Sequence, residues 1–425
     1  MRNIFRTAFI FVLMLGLTTG IYSNGLNLNG VGTKAISMGG AFIGIADDFS
    51  AIFWNPAGLT QMENASISAF SSFIMPTGTY TYAPAGIDME TEKETHPAPA
   101  LGYFKPVSEK LVVGLAAYAI SGAGASWDGS KLVPFNTYAG YGDFTAYTWS
   151  SKVAALAFSP VAAYKVSDKL SLGASLNVVY GMLDFEKEAL GGQYTENLTG
   201  TGFGATFGAM FKPSEKFSVG FTFKTPIKLT LKGDVDMPGL AAVPGMPVSS
   251  AATREITWPM WAGAGIAFRP NEKLTISFDV QYTNWAKLQE IGMEYDQAYW
   301  KINMGAGSVE DNSSFHLNWD DAVQYRVGFE YKISDSFALR GGYYSDPSPA
   351  PDTTLMILLP QINYNAVSLG VGYKTEKIVV DFGLEYLSGT DRDADMTGVM
   401  AGTAMPGTHG MSILVPTFSF TLFFN

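Results

Sequence analysis

From Asn64 onward, apolar residues alternate one for one with small or polar residues, in run after run. Phe217, Val219, Phe221 and Phe223 alternate with Ser218, Gly220 and Thr222. Leu274, Ile276, Phe278, Val280 and Tyr282 alternate with Thr275, Ser277, Asp279 and Gln281, and Val323, Tyr325, Val327, Phe329 and Tyr331 with Gln324, Arg326, Gly328 and Glu330. A period of two sends each set to its own face of a β-strand. These runs reach the roughly 9 to 11 residues that a tilted membrane-crossing strand needs.

Six short, charged connections form a loose repeat at residues 105–110, 165–169, 212–216, 269–273, 332–336 and 374–377. Longer, irregular connections fall near residues 76–96, 121–148, 187–197, 233–252, 289–319, 346–362 and 389–411. Six short and seven long connections predict fourteen strands. Short turns on one side and long loops on the other are the habit of bacterial outer-membrane barrels. The expected fold class is therefore all-β, a fourteen-stranded antiparallel transmembrane barrel over residues 63–425.

Composition agrees. Only 15% of the 425 residues are charged, against about 25% in an average soluble domain. Arg2 and Arg6 precede an apolar run from Ala8 to Leu17, which reads as a secretory signal peptide over residues 1–23. No later apolar run is long enough for a membrane helix. The formal charge of −11 becomes −13 once both arginines are removed, which argues against a nucleic-acid partner. With no cysteine, thiolate and disulfide chemistry are excluded.

Residues 24–62 read differently. They hold seven glycines, paired Asp47 and Asp48, and the tripeptide Asn55-Pro56-Ala57. Gly30, Gly32, Gly39 and Gly40 suit positive φ or close backbone approach, and Asn-Pro sets a turn. The segment is too short for its own core and too apolar for a free linker. Phe42, Ile43, Phe49, Phe53 and Trp54 need a surface to pack on, so the rest of the chain must enclose it.

The order Gly-x-Gly, Ala35, Gly40-Ala41, Ala46-Asp47-Asp48 and Asn55-Pro56-Ala57 resembles the N-terminal hatch of FadL-type transporters. The resemblance implies a hatch over residues 24–62 inside a fourteen-stranded barrel, with Gly40, Asp47, Asp48, Asn55, Pro56 and Ala57 in gating. It implies uptake of hydrophobic molecules across the Gram-negative outer membrane, with long-chain fatty acids foremost. It also implies a kink in the third strand, for which Gly122 and Gly124 are the candidates; the competing expectation, and the one the residues favour, is that 121–124 is a plain strand-to-loop junction. Two alternatives stand beside this reading: an aromatic-hydrocarbon channel of the same fold, and a general porin or structural barrel.

Alternation also places basic side chains. Outward Phe223, Ile227, Leu229 and Leu231 leave Lys224, Lys228 and Lys232 facing the lumen. Outward Val327, Phe329, Phe337 and Leu339 leave Arg326 and Arg340 facing in, as direct or near cross-strand neighbours. Lys224, Lys228, Arg326 and Arg340 are the candidates for holding a substrate carboxylate. The competing expectation pairs the arginines with Glu330, Asp381, Glu385, Asp47 or Asp48, anchoring the hatch.

The long loops are apolar, notably at Met237, Leu240, Met246, Leu355, Met356 and Leu358, and across residues 396–405. Such residues would either form a greasy landing site for substrate or pack together to close the barrel top. His96, His316 and His409 show no metal-ligand spacing, and no nucleophile elbow appears. The expectation is a monomeric transporter in contact with outer-membrane lipid, with no cofactor, metal or enzymatic activity.

Overall fold

The computed structural model describes residues 25–138, 145–303, 308–395 and 405–424. The expected signal peptide and most of the apolar loop at 396–405 lie outside the described residues.

Fourteen antiparallel strands close into one barrel. They are β1 (Ala65–Tyr82), β2 (His96–Ser108), β3 (Leu111–Trp127), β4 (Trp149–Lys165), β5 (Leu170–Ala189), β6 (Gly192–Ser214) and β7 (Phe217–Lys224 with Ile227–Asp236). Then come β8 (Ser249–Trp258 with Trp261–Phe268), β9 (Leu274–Thr283), β10 (Ala322–Lys332), β11 (Phe337–Asp346), β12 (Asn363–Lys374), β13 (Ile378–Thr390) and β14 (Thr408–Phe424). Closure is made by β1 and β14, with Ala65 opposite Phe424 and Thr81 opposite Thr408. Closure thus leaves neither the first nor the last strand as a free edge, which a lipid environment requires.

The burial pattern is that of a membrane barrel rather than a soluble one. On β9 the polar set faces in, with Ser277, Asp279 and Gln281 all buried. Outward positions carry large apolar side chains, such as Phe203 at 72% exposure, Leu369 at 69% and Leu176 at 66%. All six short connections fall where the alternation puts them. One of the seven long ones does not. Residues 187–197 form the end of the β5–β6 hairpin, which turns through Leu190 and Gly191 at positive φ of 53° and 73°. That pair matches the two-residue hairpin turn whose twist suits a right-handed ribbon.

The strand β7 departs from simple alternation. Thr206 is opposite Lys224 and Thr201 is opposite Thr230, so five steps along β6 match six along β7. The extra residue, at Thr225-Pro226, is a bulge that reverses which face each later residue occupies. Ile227, Leu229 and Leu231 therefore point inward, while Lys228 and Lys232 are exposed. Lys228 pairs outside with Glu255 at 2.7 Å. Lys228 and Lys232 are not lumenal, because a proline that cannot join the ladder resets the register between them and Lys224.

Residues 25–62 lie within the barrel. They contain the short helices α1 (Thr33–Ser37) and α2 (Ala51–Trp54) and a 3₁₀ turn at Pro56–Gln61. Gly32, Gly39 and Gly40 have φ of 91°, 64° and 66°. Phe42, Ile43, Ile52 and Trp54 are buried against the wall. Wall glycines permit that contact: a Cβ on Gly220 would lie 2.0 Å from the carbonyl oxygen of Ile43, and one on Gly342 would lie 2.0 Å from the amide of Gly39.

Candidate functional site

The N-terminal segment is held by polar wall residues, each meeting a backbone group that a short irregular segment cannot satisfy itself. Asp279 of β9 accepts from the amides of Phe42 at 2.8 Å and Ile43 at 2.9 Å. Ser218 donates to the carbonyl of Gly44, Thr222 to that of Trp54, and Gln281 to that of Gly40. Asn55 donates to the carbonyls of Ile43 and Ala209, both at 3.0 Å, while its Oδ1 accepts from Ala57. The Asn-Pro-Ala tripeptide is thus the joint between the segment and β6. Asp279 was visible as the one acidic residue on the inward face of its alternating run, yet its role needed the partner from position 42.

At the end bearing the short turns, an ion-pair network joins the segment to β10 through Lys34 and links β10 with β11 and β13. Lys34 meets Asp47 at 2.9 Å and Glu330 at 3.5 Å, and Arg340 meets Glu330 at 2.8 Å and Asp381 at 2.6 Å. Burial alone would raise the Asp47 carboxyl, but the Lys34 ammonium outweighs it and holds Asp47 down at about 2. Asp48 goes the other way. Burial, helped by the charge on Asp47, pushes it up to about 6, against hydrogen bonds from Ser50 and the attraction of Lys34. These groups line an open vestibule of about 1610 Å³.

Arg326 and Arg340 both face inward, but they are not neighbours. Arg340 is opposite Glu330, and Arg326 is opposite Tyr344. The turn between β10 and β11 is centred one to two residues beyond Ile333–Ser334, which separates the two guanidinium groups along the wall. Arg340 is fully paired with acids and belongs to the anchor. Arg326 instead donates to Gln324 and to the carbonyl of Gly39 at 3.0 Å, with its guanidinium 4.0 Å from the ring centroid of Tyr344.

Two cavities flank residues 27–29. The first, of about 120 Å³, is lined by Leu28, Ile74, Gly122, Asp346 and Glu385 among others. The second, of about 70 Å³, is lined by Phe53, Trp54, Tyr118, Trp261, Lys224 and Arg326 among others. The Lys224 ammonium sits 3.3 Å above the ring of Phe53 and 4.5 Å from that of Trp261, an aromatic setting that favours a cation. Among the described residues no carboxylate lies within 4.0 Å of Lys224 or of Arg326.

The wall is open beside the first cavity. Pairing of β2 with β3 stops at Ala100 opposite Tyr118, and β3 carries a bulge at Ile120, between Ala119 and Ser121. Past it β3 stays paired with β4 through Gly122 and Gly124, so this stretch is strand rather than a strand-to-loop junction. The bulge frees groups for the N-terminal segment: Leu28 donates to Ile120 at 3.1 Å and Ser121 to Leu26 at 2.7 Å. On β4 the residues opposite Ala119 and Gly124 are the exposed Leu156 and Lys152, which places this gap at the outer edge of the apolar belt.

The apolar loop residues are not an exposed landing site. Met237, Leu240, Leu355, Met356 and Leu358 are all buried, and Met246 packs against the same core. Together they close the barrel top. Exposed apolar loop positions lie elsewhere, at Leu190, Val243, Val248, Tyr299 and Ile302. His316 faces Glu290 at 3.7 Å. Among the described residues no cluster of His, Asp or Glu is arranged to hold a metal.

An apolar outer belt, a polar lumen and an occupying N-terminal segment define an outer-membrane transport barrel. Residues 14–424 match the family described as outer membrane protein transport protein (OMPP1/FadL/TodX), and the chain belongs to that family. It is 22% identical over 444 residues to the long-chain fatty acid transport protein of Escherichia coli K12, covering 91% of this chain and 93% of that one. The structure of a Pseudomonas aeruginosa FadL homologue superposes with a TM-score of 0.76 at 17% identity, covering 94% of this chain and 100% of that one. The toluene transporter TodX of Pseudomonas putida gives a TM-score of 0.71 at 15% identity, covering 94% and 99%. The protein resides in the outer membrane.

Proposed function

We propose that the protein takes up hydrophobic molecules passively across the outer membrane, with long-chain fatty acids as the foremost cargo. The observation that carries this reading is the pair Lys224 and Arg326, which face an aromatic cavity with no carboxylate in direct contact with either, Asp279 being the cross-strand neighbour of Arg326. A buried cation without an anion is costly, and a cargo carboxylate would relieve that cost through charge-assisted hydrogen bonds worth about 1.5–3 kcal/mol each. The aliphatic tail would lie along the apolar lining and leave towards the gap beside β3, where the Ile120 bulge and Gly122 frame a sideways path into lipid. Residues 25–62 act as the hatch in this reading, yielding at Leu26–Leu28 while Asn55-Pro56-Ala57 keeps the rest on the wall. The protein works as a monomer, without cofactor or catalytic step.

The test is direct binding of a long-chain fatty acid to detergent-purified protein, with toluene and a small sugar as competitors. Lys224→Gln and Arg326→Gln should each weaken fatty-acid binding about tenfold, the equivalent of one charge-assisted bond. Unchanged affinity in both variants would remove carboxylate capture. A second reading has its own support in the rings of Phe53, Trp54, Tyr118 and Trp261, which suit a small aromatic hydrocarbon. Competition by toluene that is indifferent to both substitutions would select it.

A further inference from the structure

The cavities on either side of residues 27–29 have opposite charge. Cations face the aromatic one. The other is lined by Asp346 and Glu385, which are 3% and 1% exposed, and by no lysine or arginine. Its two acids are held in place rather than free to turn away. Gln324 donates to Asp346 while its Oε1 accepts from Arg326. Asn29 donates to Glu385 at 3.0 Å. The path from one cavity to the other therefore runs from positive to negative over the width of three residues.

Of the elements around the acidic cavity, β10 offsets part of that polarity, because the Arg326 charge acts on Glu385 from the aromatic side, and the others add no cation. The hatch contributes the neutral Asn27 and Asn29, and β1 contributes Ser72, Ile74 and Pro76. From β2 comes His96, whose ring lies 3.5 Å from Glu94. From β12 comes Tyr364, and from the loop before it Gln361, whose backbone carbonyl accepts from Arg392. Arg326 stands behind Gln324, lining the aromatic cavity and not this one.

We infer that Asp346 and Glu385 are specificity-determining residues, an anion filter that passes uncharged hydrophobes to the wall gap and turns back chains with a fixed negative charge. This rests on the reading of the aromatic cavity as a carboxylate site on the way to that gap. Like charges repel steeply where water is scarce, so an ionised cargo held at Lys224 and Arg326 cannot advance beside two carboxylates. A carboxylic acid advances after its carboxylate takes one proton from hydronium in the lumenal water. One O–H bond of hydronium breaks, a carboxyl O–H bond forms and water is left, no electrons are exchanged, and the two cations return to their unliganded state. Hydrocarbons and alcohols need no such step.

The experiment compares hexadecanoate, hexadecanesulfonate and hexadecanol, measuring binding to purified protein and transfer into lipopolysaccharide-containing proteoliposomes above protein-free vesicles. Sulfonate should bind about as well as carboxylate but cross at least about tenfold more slowly than the alcohol, as expected for a burdened path. Carboxylate transfer should rise as pH is lowered from about 8 to about 6, while alcohol transfer stays level. In the Asp346→Asn, Glu385→Gln double variant, sulfonate should cross at nearly the alcohol rate. Glu385→Gln alone should give part of that gain, and a heat-modifiable barrel band in gel electrophoresis shows that either variant is folded. Sulfonate crossing the unaltered protein as fast as alcohol overturns the filter. Failure of carboxylate to bind, or binding indifferent to Lys224→Gln, instead sinks the functional reading beneath it.

Discussion

Asp279, on the barrel wall, accepts hydrogen bonds from two consecutive backbone amides of the lumenal segment, Phe42 at 2.8 Å and Ile43 at 2.9 Å. Both partners are wholly buried. Neither amide has a helical partner to fall back on, so the wall carboxylate decides whether this turn of the segment stays docked. Each such bond contributes about 0.5–1.5 kcal/mol, and its loss leaves a buried amide unsatisfied at about 1–3 kcal/mol. Asp279→Ala should therefore speed hydrogen exchange at the Phe42 and Ile43 amides and raise the permeability of reconstituted protein to a small sugar. Asp279→Asn, which keeps one acceptor, should give a smaller change in both. A sugar permeability unchanged in Asp279→Ala would show that the segment is retained without this bond.

Gly220 tests the same docking by shape rather than by charge. Its missing Cβ leaves room for the Ile43 carbonyl, which a side chain would meet at 2.0 Å. Overpacking by one methyl costs about 1–3 kcal/mol where the neighbours cannot move. Gly220→Ala should weaken docking and Gly220→Leu should abolish it, while the strand pairing of Gly220 with Gly265 and Met210 persists. The expected result is a barrel that still shifts on heating in gel electrophoresis but leaks sugar. Loss of the folded barrel band would mean that the segment is needed for barrel assembly.

Asp48 makes docking depend on pH. Its carboxyl is raised to about 6 when docked, so the docked state holds the proton more tightly than the free segment does. That contribution is complete below the free value of about 4 and is lost as pH rises through about 6. Asp47 has the opposite sign, but with its carboxyl at about 2 its contribution is complete across the working range. Amide exchange of residues 33–50 should be slower at about pH 5 than at about pH 8, beyond the intrinsic pH effect on exchange. Asp48→Asn should reduce the difference. An unchanged difference in that variant would assign it to another group.

The alternation along Leu274–Thr283 or Ala322–Lys332 settled by itself which face each residue takes. A strand's period is a local property, and one apolar face per strand needs no distant partner to be read. Strand number followed from the same pattern, because each charged turn between two runs is also local. Asn55-Pro56-Ala57 and the glycines at 32, 39 and 40 likewise announced an enclosed, non-repetitive segment.

Tertiary structure decided everything that depends on what meets a side chain across the lumen. Lys228 and Arg340 looked equivalent to Lys224 and Arg326 in the sequence. A single-residue bulge at Thr225-Pro226 turned Lys228 out to Glu255, and a turn centred slightly further along set Arg340 between Glu330 and Asp381. The loop residues Met237 and Leu355 carried equal apolar character whether exposed or buried, and only the closing of the barrel top buried them. Lys224 acquired its setting from Phe53 and Trp261, one remote in sequence and one on the next strand. Periodicity determines direction, whereas charge compensation is settled by neighbours that closure of the barrel brings together from distant parts of the chain.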